Sequence, residues 1–292
     1  MIHSMTGYGK ASTTAGPRRF TIEIRSLNGK QLDLGVRMPS RLREREMALR
    51  KDLGQTIVRG KADLTISYET DAAEGRALNE PLIHGYLETL ERLAGERGYA
   101  APGATLLDVA MRLPDTVSTS QESFDEQEWT QVRAAVEEAL AAFQDHRAQE
   151  GATLEADFRR RVQVIADLEA GLDDLLNARI ARVKDRILNH LEEVIDRSRI
   201  DENRFEQEVL FYLEKMDVTE ERVRLQAHCD YFLEMLALPE PGQGKKLGFI
   251  VQEMGREINT LGSKANDADI QRIVVGMKDE LEKIKEQVLN VL

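Results

Sequence analysis

No proline interrupts the chain between Pro114 and Pro239. A stretch that long, free of the one residue that both removes a backbone donor and fixes φ, can be helical throughout. From Leu154 onward apolar residues recur at three and four, from Phe158, Val162, Ile165 and Leu168 through Leu172 and Leu175 to Ile180, Val183, Ile187, Leu191 and Val194. The period predicts one long helix or a hairpin of two. Helices of such length without a wide apolar face pack on partner helices, so this region is expected to support oligomerisation.

The rest of the rear half reads as helix too. A block runs from about Phe205 to Leu236, with a new start near Asp217, where Asp217-Val218-Thr219-Glu220 has capping-box spacing. Pro239-Glu240-Pro241-Gly242-Gln243-Gly244 is a linker, and Lys246–Asn259 and Ile270–Leu289 are two further helices. The front differs. Phe20, Ile22 and Ile24 alternate with Thr21, Glu23 and Arg25, and Leu32, Leu34 and Val36 repeat the pattern after Asn28-Gly29, a hairpin signal. Pro39 ends that strand, an Arg-rich amphipathic helix follows to about Leu53, Lys61–Thr70 reads as another strand, and Met5-Thr6-Gly7-Tyr8-Gly9 as the start of the sheet. Residues 71 to 126, punctuated by Pro81, Pro102 and Pro114, read as shorter helices and loops. The fold class is α+β, with a small antiparallel sheet in front and helices behind.

At 292 residues the chain exceeds what one hydrophobic core usually serves, so two domains are expected. Hydrophobic residues at 41% and charged residues at 32% describe a globular chain and exclude disorder over most of its length. No apolar run is long enough to span a membrane, and Met1–Lys10 has no basic-then-apolar signal pattern, so a cytoplasmic protein is expected. The single cysteine, Cys229, excludes an intramolecular disulfide or a multi-cysteine zinc site and lies in an apolar helical stripe, where it packs. The net charge of −12 argues by itself against nucleic acid, because phosphate binding is driven by Lys and Arg. Its distribution does not. Residues 1 to 61 carry 13 Lys and Arg against 5 Asp and Glu, a basic module on an acidic body, or equally a basic solvated surface.

Two constellations carry chemistry. After Asp217, Glu221, Arg224 and His228 stand at i, i+3 and i+7 on one helix face beside the stripe Val218, Leu225, Cys229, Phe232 and Leu236. A carboxylate and an imidazole two turns apart do not share a metal unless another helix completes the site, and a lone histidine also serves as an ordinary exposed side chain. In the stretch from Gly248 to Thr260, Glu253 and Glu257 stand at i, i+4 on the border of an apolar face of Leu247, Ile250, Val251, Met254 and Ile258. Like charges at that spacing cost roughly 0.2 to 0.5 kcal/mol unless a cation lies between them. That cation is either a metal or a side chain such as Arg256 or Lys264. Carboxylates with one imidazole suit Mn or Mg better than structural zinc. Arg224, Arg256 and Lys264 are placed to hold phosphate oxygens, and Asn259 and Ser263 to hydrogen-bond them. Gly242-Gln243-Gly244-Lys245-Lys246 lacks full phosphate-loop spacing and follows no strand, which excludes an NTPase and leaves a flexible, basic linker near RNA.

Ser4-Met5-Thr6-Gly7-Tyr8-Gly9, Glu23-Ile24-Arg25-Ser26-Leu27-Asn28 with Leu32-Asp33, Arg59-Gly60-Lys61, Asp217–His228, Gly244-Lys245-Lys246-Leu247-Gly248-Phe249 and Arg256-Glu257-Ile258-Asn259-Thr260 with Ser263-Lys264 together closely resemble the YicC family. The resemblance covers both ends of the chain. It implies an N-terminal domain over 1–150, connecting helices over 151–203 and a helical C-terminal domain over 204–292. It also implies an endoribonuclease that needs a divalent cation, Mn or Mg, and forms a hexamer around a cavity admitting RNA. On the matching positions, Glu221, His228, Glu253 and Glu257 become catalytic candidates, with His228, Glu253 and Glu257 as metal ligands. RNA contacts are expected from Arg25, Lys30, Arg37, Arg59, Lys61, Lys245 and Lys246 in addition to Arg224, Arg256, Asn259, Ser263 and Lys264. Where the family usually has Leu-Asp-Phe, this chain has Leu247-Gly248-Phe249, which removes a carboxylate close to the site. The competing reading is a non-catalytic RNA-binding adaptor that presents RNA to other RNA-decay nucleases, for which the basic front suffices. A purely structural helical scaffold is a third.

Overall fold

The computed structural model describes residues 2–70, 77–100, 102–118, 125–238 and 242–292. The expected α+β architecture is present, and its organising element is a helix of 45 residues. Strands β1 (Gly7–Ala15), β2 (Arg18–Leu27), β3 (Leu32–Arg37) and β4 (Gly60–Thr70) make one sheet in the order β1-β2-β4-β3, with α1 (Glu46–Thr56) between β3 and β4. Antiparallel pairing joins β1 to β2 and β2 to β4, whereas β3 runs parallel to β4. This corrects the hairpin expected across Asn28-Gly29 and makes the sheet mixed. Both edges of β2 are occupied by β1 and β4, strands of 9 and 11 residues that offer it longer ladders than the six-residue β3. The short strand therefore crosses to the free edge of β4.

Residues 71–76, 101 and 119–124, which fall in the expected region of short helices and loops, lie outside the described residues. Around them, α2 (Glu80–Arg97) and α3 (Gly103–Met111) are bracketed by a short antiparallel pair, β5 (Ala77–Leu78) with β6 (Val117–Ser118). Then α4 (Glu126–Ala170) spans about 67 Å. It starts well before the periodic run read from sequence and is followed by α5 (Leu172–Val194) across a break at Gly171. The two succeed one another with little packing between them, so the hairpin alternative is not realised.

Two cores share α4. Its first half lays Val132, Val136, Ala139 and Phe143 on the sheet residues Phe20, Ile22, Ile24, Leu64 and Ile66. The approach is close because β1 has glycine there: a Cβ on Gly9 would lie 2.0 Å from the carbonyl oxygen of Ala139. Its second half contributes Phe158, Val162 and Ile165 to a helical core with α7 (Thr219–Ala237), α8 (Gln243–Ala265) and α9 (Ala268–Val288). Between α5 and α7 lies α6 (Glu202–Lys215). The buried Arg179 of α5 ties this block, donating to the carbonyls of Ala265 (2.9 Å) and Met216 (2.6 Å) where α8 and α6 end. The first residues close the structure against the last: Ser4 bridges to Val291, and the Met5 amide donates to Asn290 O at 2.7 Å. Among the described residues no helix is long and apolar enough to cross a membrane.

Candidate functional site

Helices α7 and α8 form an antiparallel hairpin. The new start at Asp217 is realised by its carboxylate, which accepts hydrogen bonds from the Thr219 amide (2.9 Å) and hydroxyl (2.6 Å). The Thr219 hydroxyl bond, then the amide bond, holds the Asp217 carboxyl below its ordinary range. Of the expected linker, 239–241 lies outside the described residues. The basic pair after it is not flexible, which corrects the sequence reading: Lys245 and Lys246 occupy the first turns of α8. That helix starts early because Gln243 and Gly244 are buried, with Gln243 donating to Leu238 O at 2.8 Å and Gly244 against the Val291 backbone.

The hairpin packs Leu225, Cys229 and Phe232 of α7 against Leu247, Ile250, Met254 and Ile258 of α8. This register sets the polar residues bordering the two stripes opposite one another. His228 comes together with Glu253 and Glu257, one ligand atom from each lying within 4.8 Å of the others. It is the one such convergence of His, Cys, Asp or Glu among the described residues. His228 and Glu253 are partly exposed, while Glu257 is only 5% exposed.

The partners of these groups bear on the choice between a metal and a side-chain cation. Lys264 is engaged by Glu221, Nζ to Oε1 at 2.7 Å, one helical segment away from the trio. Arg256 reaches only the outer carboxylate, Glu253, at 3.8 Å, with its own side chain 75% exposed. No described residue gives Glu257 a hydrogen bond or an ion pair. Its side chain is largely buried, yet neither of its oxygens is sealed from solvent as Glu221 Oε2 is. The donor set, two carboxylates and one imidazole, fits a hard or borderline divalent cation, so the residues present suit such an ion. The ordinary salt-bridged helix face, open on sequence alone, does not describe Glu257.

The other expected residues divide. Arg224, Arg256, Asn259 and Ser263 are exposed on the two helices of the hairpin, Arg224 paired with Glu220 and the Ser263 hydroxyl donating to Thr260 O at 2.9 Å. Glu221 is separate from the trio, and its second oxygen is buried without a hydrogen bond. The front cations belong to the sheet and its connections. Arg25, Arg37 and Lys61 lie on the open polar face, where Glu23 pairs with Arg25 (2.9 Å) and Lys10 (3.2 Å). Lys30 is exposed, and Arg59 turns back to the carbonyl of Gly29 at 3.0 Å. Part of the positive front is thus used inside the fold, as in the buried pair of Arg18 with Glu128. Sequence reasoning missed Lys278 and Lys285 of α9. With Glu253, Arg256 and Asn259 they line an open groove of about 780 Å³ between α8 and α9, and their i, i+7 spacing on a polar face was the available signal.

The chain thus joins a mixed sheet under a long helix to a helical hairpin that converges an imidazole and two carboxylates beside exposed arginines. A family model described as "Endoribonuclease YicC-like, N-terminal region" matches residues 2–156, and one described as "Endoribonuclease YicC-like, C-terminal" matches residues 172–292. The chain belongs to this YicC-like endoribonuclease family. Over the full length of both chains it is 31% identical to the "Probable endoribonuclease YicC" of Clostridioides difficile (strain 630) and 29% identical to the protein of the same name from Haemophilus influenzae.

Proposed function

We propose that the chain is an endoribonuclease of the cytoplasm, that His228, Glu253 and Glu257 hold a divalent cation, Mn or Mg, and that RNA is cleaved beside them. The observation carrying the reading is Glu257, a carboxylate 5% exposed, with no protein partner, converging with His228 and Glu253. The names of the relatives and the family supply the reaction class. When bound, such a cation lowers the pKa of water and neutralises charge on the scissile phosphate.

The chain's own residues do the rest. Glu257 is fixed by burial, and His228 is carried by a helix whose Cys229 and Phe232 are anchored in the core, so the site is pre-shaped before RNA arrives. Arg256 and Arg224, both largely exposed, meet phosphate oxygens on either side, and Asn259 offers an amide at the same edge. Glu221 acts as a positioning residue: its ion pair keeps Lys264 aimed along the hairpin instead of folding into the trio. The hexamer with an RNA-admitting cavity is part of the proposal. It is supported by the apolar surface that α6 leaves exposed, with Leu210 at 58% and Phe211 at 60%.

The test is cleavage of an end-labelled RNA with Mn, with Mg and with EDTA, by the wild type and by the double variant Glu253→Gln, Glu257→Gln. Circular dichroism verifies the fold of each, and light scattering gives the size of the assembly. Cutting by the wild type only with metal, and a loss of at least about 100-fold in the folded variant, is expected. Equal RNA binding by both proteins with no cutting by either would overturn the reading in favour of an adaptor.

A further inference from the structure

The α7–α8 hairpin exposes two large rings beside the trio, one from each helix. Phe249 is 57% exposed and Tyr231 is 48% exposed. Phe249 precedes Glu253 by four residues on α8, and Tyr231 follows His228 by three on α7, so each shares a helix face with a member of the trio. The helices are antiparallel. Both displacements therefore run the same way, toward the α7–α8 connection, by about 6 Å and about 4.5 Å along the axes.

A single exposed ring is ordinary on a protein surface. Two from different helices, flanking one cluster on one side, are not a packing by-product, because the hairpin's core is already filled by Leu225, Phe232, Ile250 and Met254. Cations stand at both ends of this line. Lys245 Nζ lies 5.9 Å from the centre of the Phe249 ring, and Arg224 and Arg256 are exposed on the other side of the trio, away from the connection. Aromatic faces in line with positive side chains suit a single nucleic-acid strand, whose phosphates meet the cations while its unstacked bases lie on the rings. A double helix keeps its base faces inside and offers such rings nothing to stack on.

We propose that Phe249 and Tyr231 form a stacking platform for the unpaired bases next to the scissile phosphate. The proposal rests on the reading of His228, Glu253 and Glu257 as the place of cleavage. Neither ring touches the reacting atoms; both position the strand.

The test uses the full-length protein and a set of single-stranded RNAs, each missing one base. Removing the base that stacks should raise KM about tenfold for the wild type, with kcat within about twofold. Phe249→Leu, which keeps the volume and loses the π face, should show the same rise on intact RNA and no further penalty from the missing base, because the two changes delete one contact. Phe249→Trp should restore the wild-type KM, and Tyr231→Leu should repeat the pattern at another nucleotide. Fluorescence anisotropy with the same RNAs in EDTA reads the abasic penalty in binding alone, so a protein that fails to cut sinks the endonuclease reading while stacking is still measured. Additive penalties, or equal cleavage of a blunt duplex, would overturn the proposal. So would a change in assembly size by Phe249→Leu with the base sensitivity intact, since the ring would then belong to an interface between copies.

Discussion

Glu257 is held in a position where its charge has no protein partner, and that fact is measurable without any RNA. In EDTA, Glu257→Gln should leave the unfolding free energy within about 1 kcal/mol, because the side chain is largely buried but neither carboxylate oxygen is sealed from water. With Mn present the wild type should be clearly the more stable, since only it gains the full binding energy from the ion. Thermal melts of both proteins, with and without Mn, check this. A larger destabilisation by the substitution in EDTA would mean that the carboxylate has a stabilising partner. Beside it on α7, Cys229 is 2% exposed, and burial, then the charges of Asp230 and Glu169, pushes its thiol up to about 12. The thiolate is the reactive form, so iodoacetamide near neutral pH should modify Cys229 only as fast as the protein unfolds. Rapid labelling of the native protein would contradict the burial described. This agrees with the reading of Cys229 as packing from its place in an apolar stripe.

At the scale of elements, the α7–α8 hairpin was legible in pieces. The i, i+4 glutamates and the i, i+7 pair of Glu221 and His228 follow from the helical repeat, and the linker at Pro239–Gly244 marked where one helix gives way to the next. Which polar border would face which was not legible, because it depends on how the two stripes mesh. The register brought His228 to Glu253 and Glu257 and sent Glu221 to Lys264. The strand β3 shows the opposite case, a local Asn-Gly signal overridden by longer ladders elsewhere in the sheet. Gly248 tests how far the departure from the family pattern matters. A Cβ there would meet only Val288 Cγ1 at 3.8 Å, an ordinary contact, and the residue lies inside α8 with no strained backbone. Gly248→Ala should therefore stabilise the protein by about 0.5–1 kcal/mol, as glycine-to-alanine changes do inside helices, and leave cleavage within about twofold. Chemical denaturation and the RNA assay decide this. A loss of cleavage would show that the α8–α9 groove needs the space that glycine leaves.

For the whole molecule, the long helix was foreseen from the missing prolines, yet its role as a beam shared by two cores was not. That role depends on long-range packing of α4 against the sheet at one end and against α7 and α9 at the other. One polar connection along it is pH-sensitive. Arg161 of α4 pairs with Asp157 (2.6 Å) and, across to α9, with Glu280 (2.9 Å), all three side chains at least two-thirds buried. Burial pushes the Asp157 carboxyl up, but hydrogen bonds from Arg161 and Arg160 outweigh it and hold it low. The Lys283 hydrogen bond lowers Glu280, with burial opposing and Arg161 adding to the depression. Carboxyls lowered on folding contribute stability that is present above their unfolded values, near about 4, and lost as pH falls through the folded values. Arg161→Met should thus cost about 1 kcal/mol at neutral pH and progressively less as the medium is acidified below about pH 4. Denaturation curves across that window test it, and a penalty that stays constant into acid would exclude the ion pairs as its source.

The most direct test of the central claim is pulsed electron paramagnetic resonance of Mn bound to the full-length protein. The account predicts one Mn per chain with a coupling to an imidazole nitrogen, present in the wild type, absent in His228→Gln, and with occupancy lost in Glu253→Gln, Glu257→Gln. Mn bound with unchanged nitrogen coupling in His228→Gln, or no bound Mn in the wild type, would contradict it.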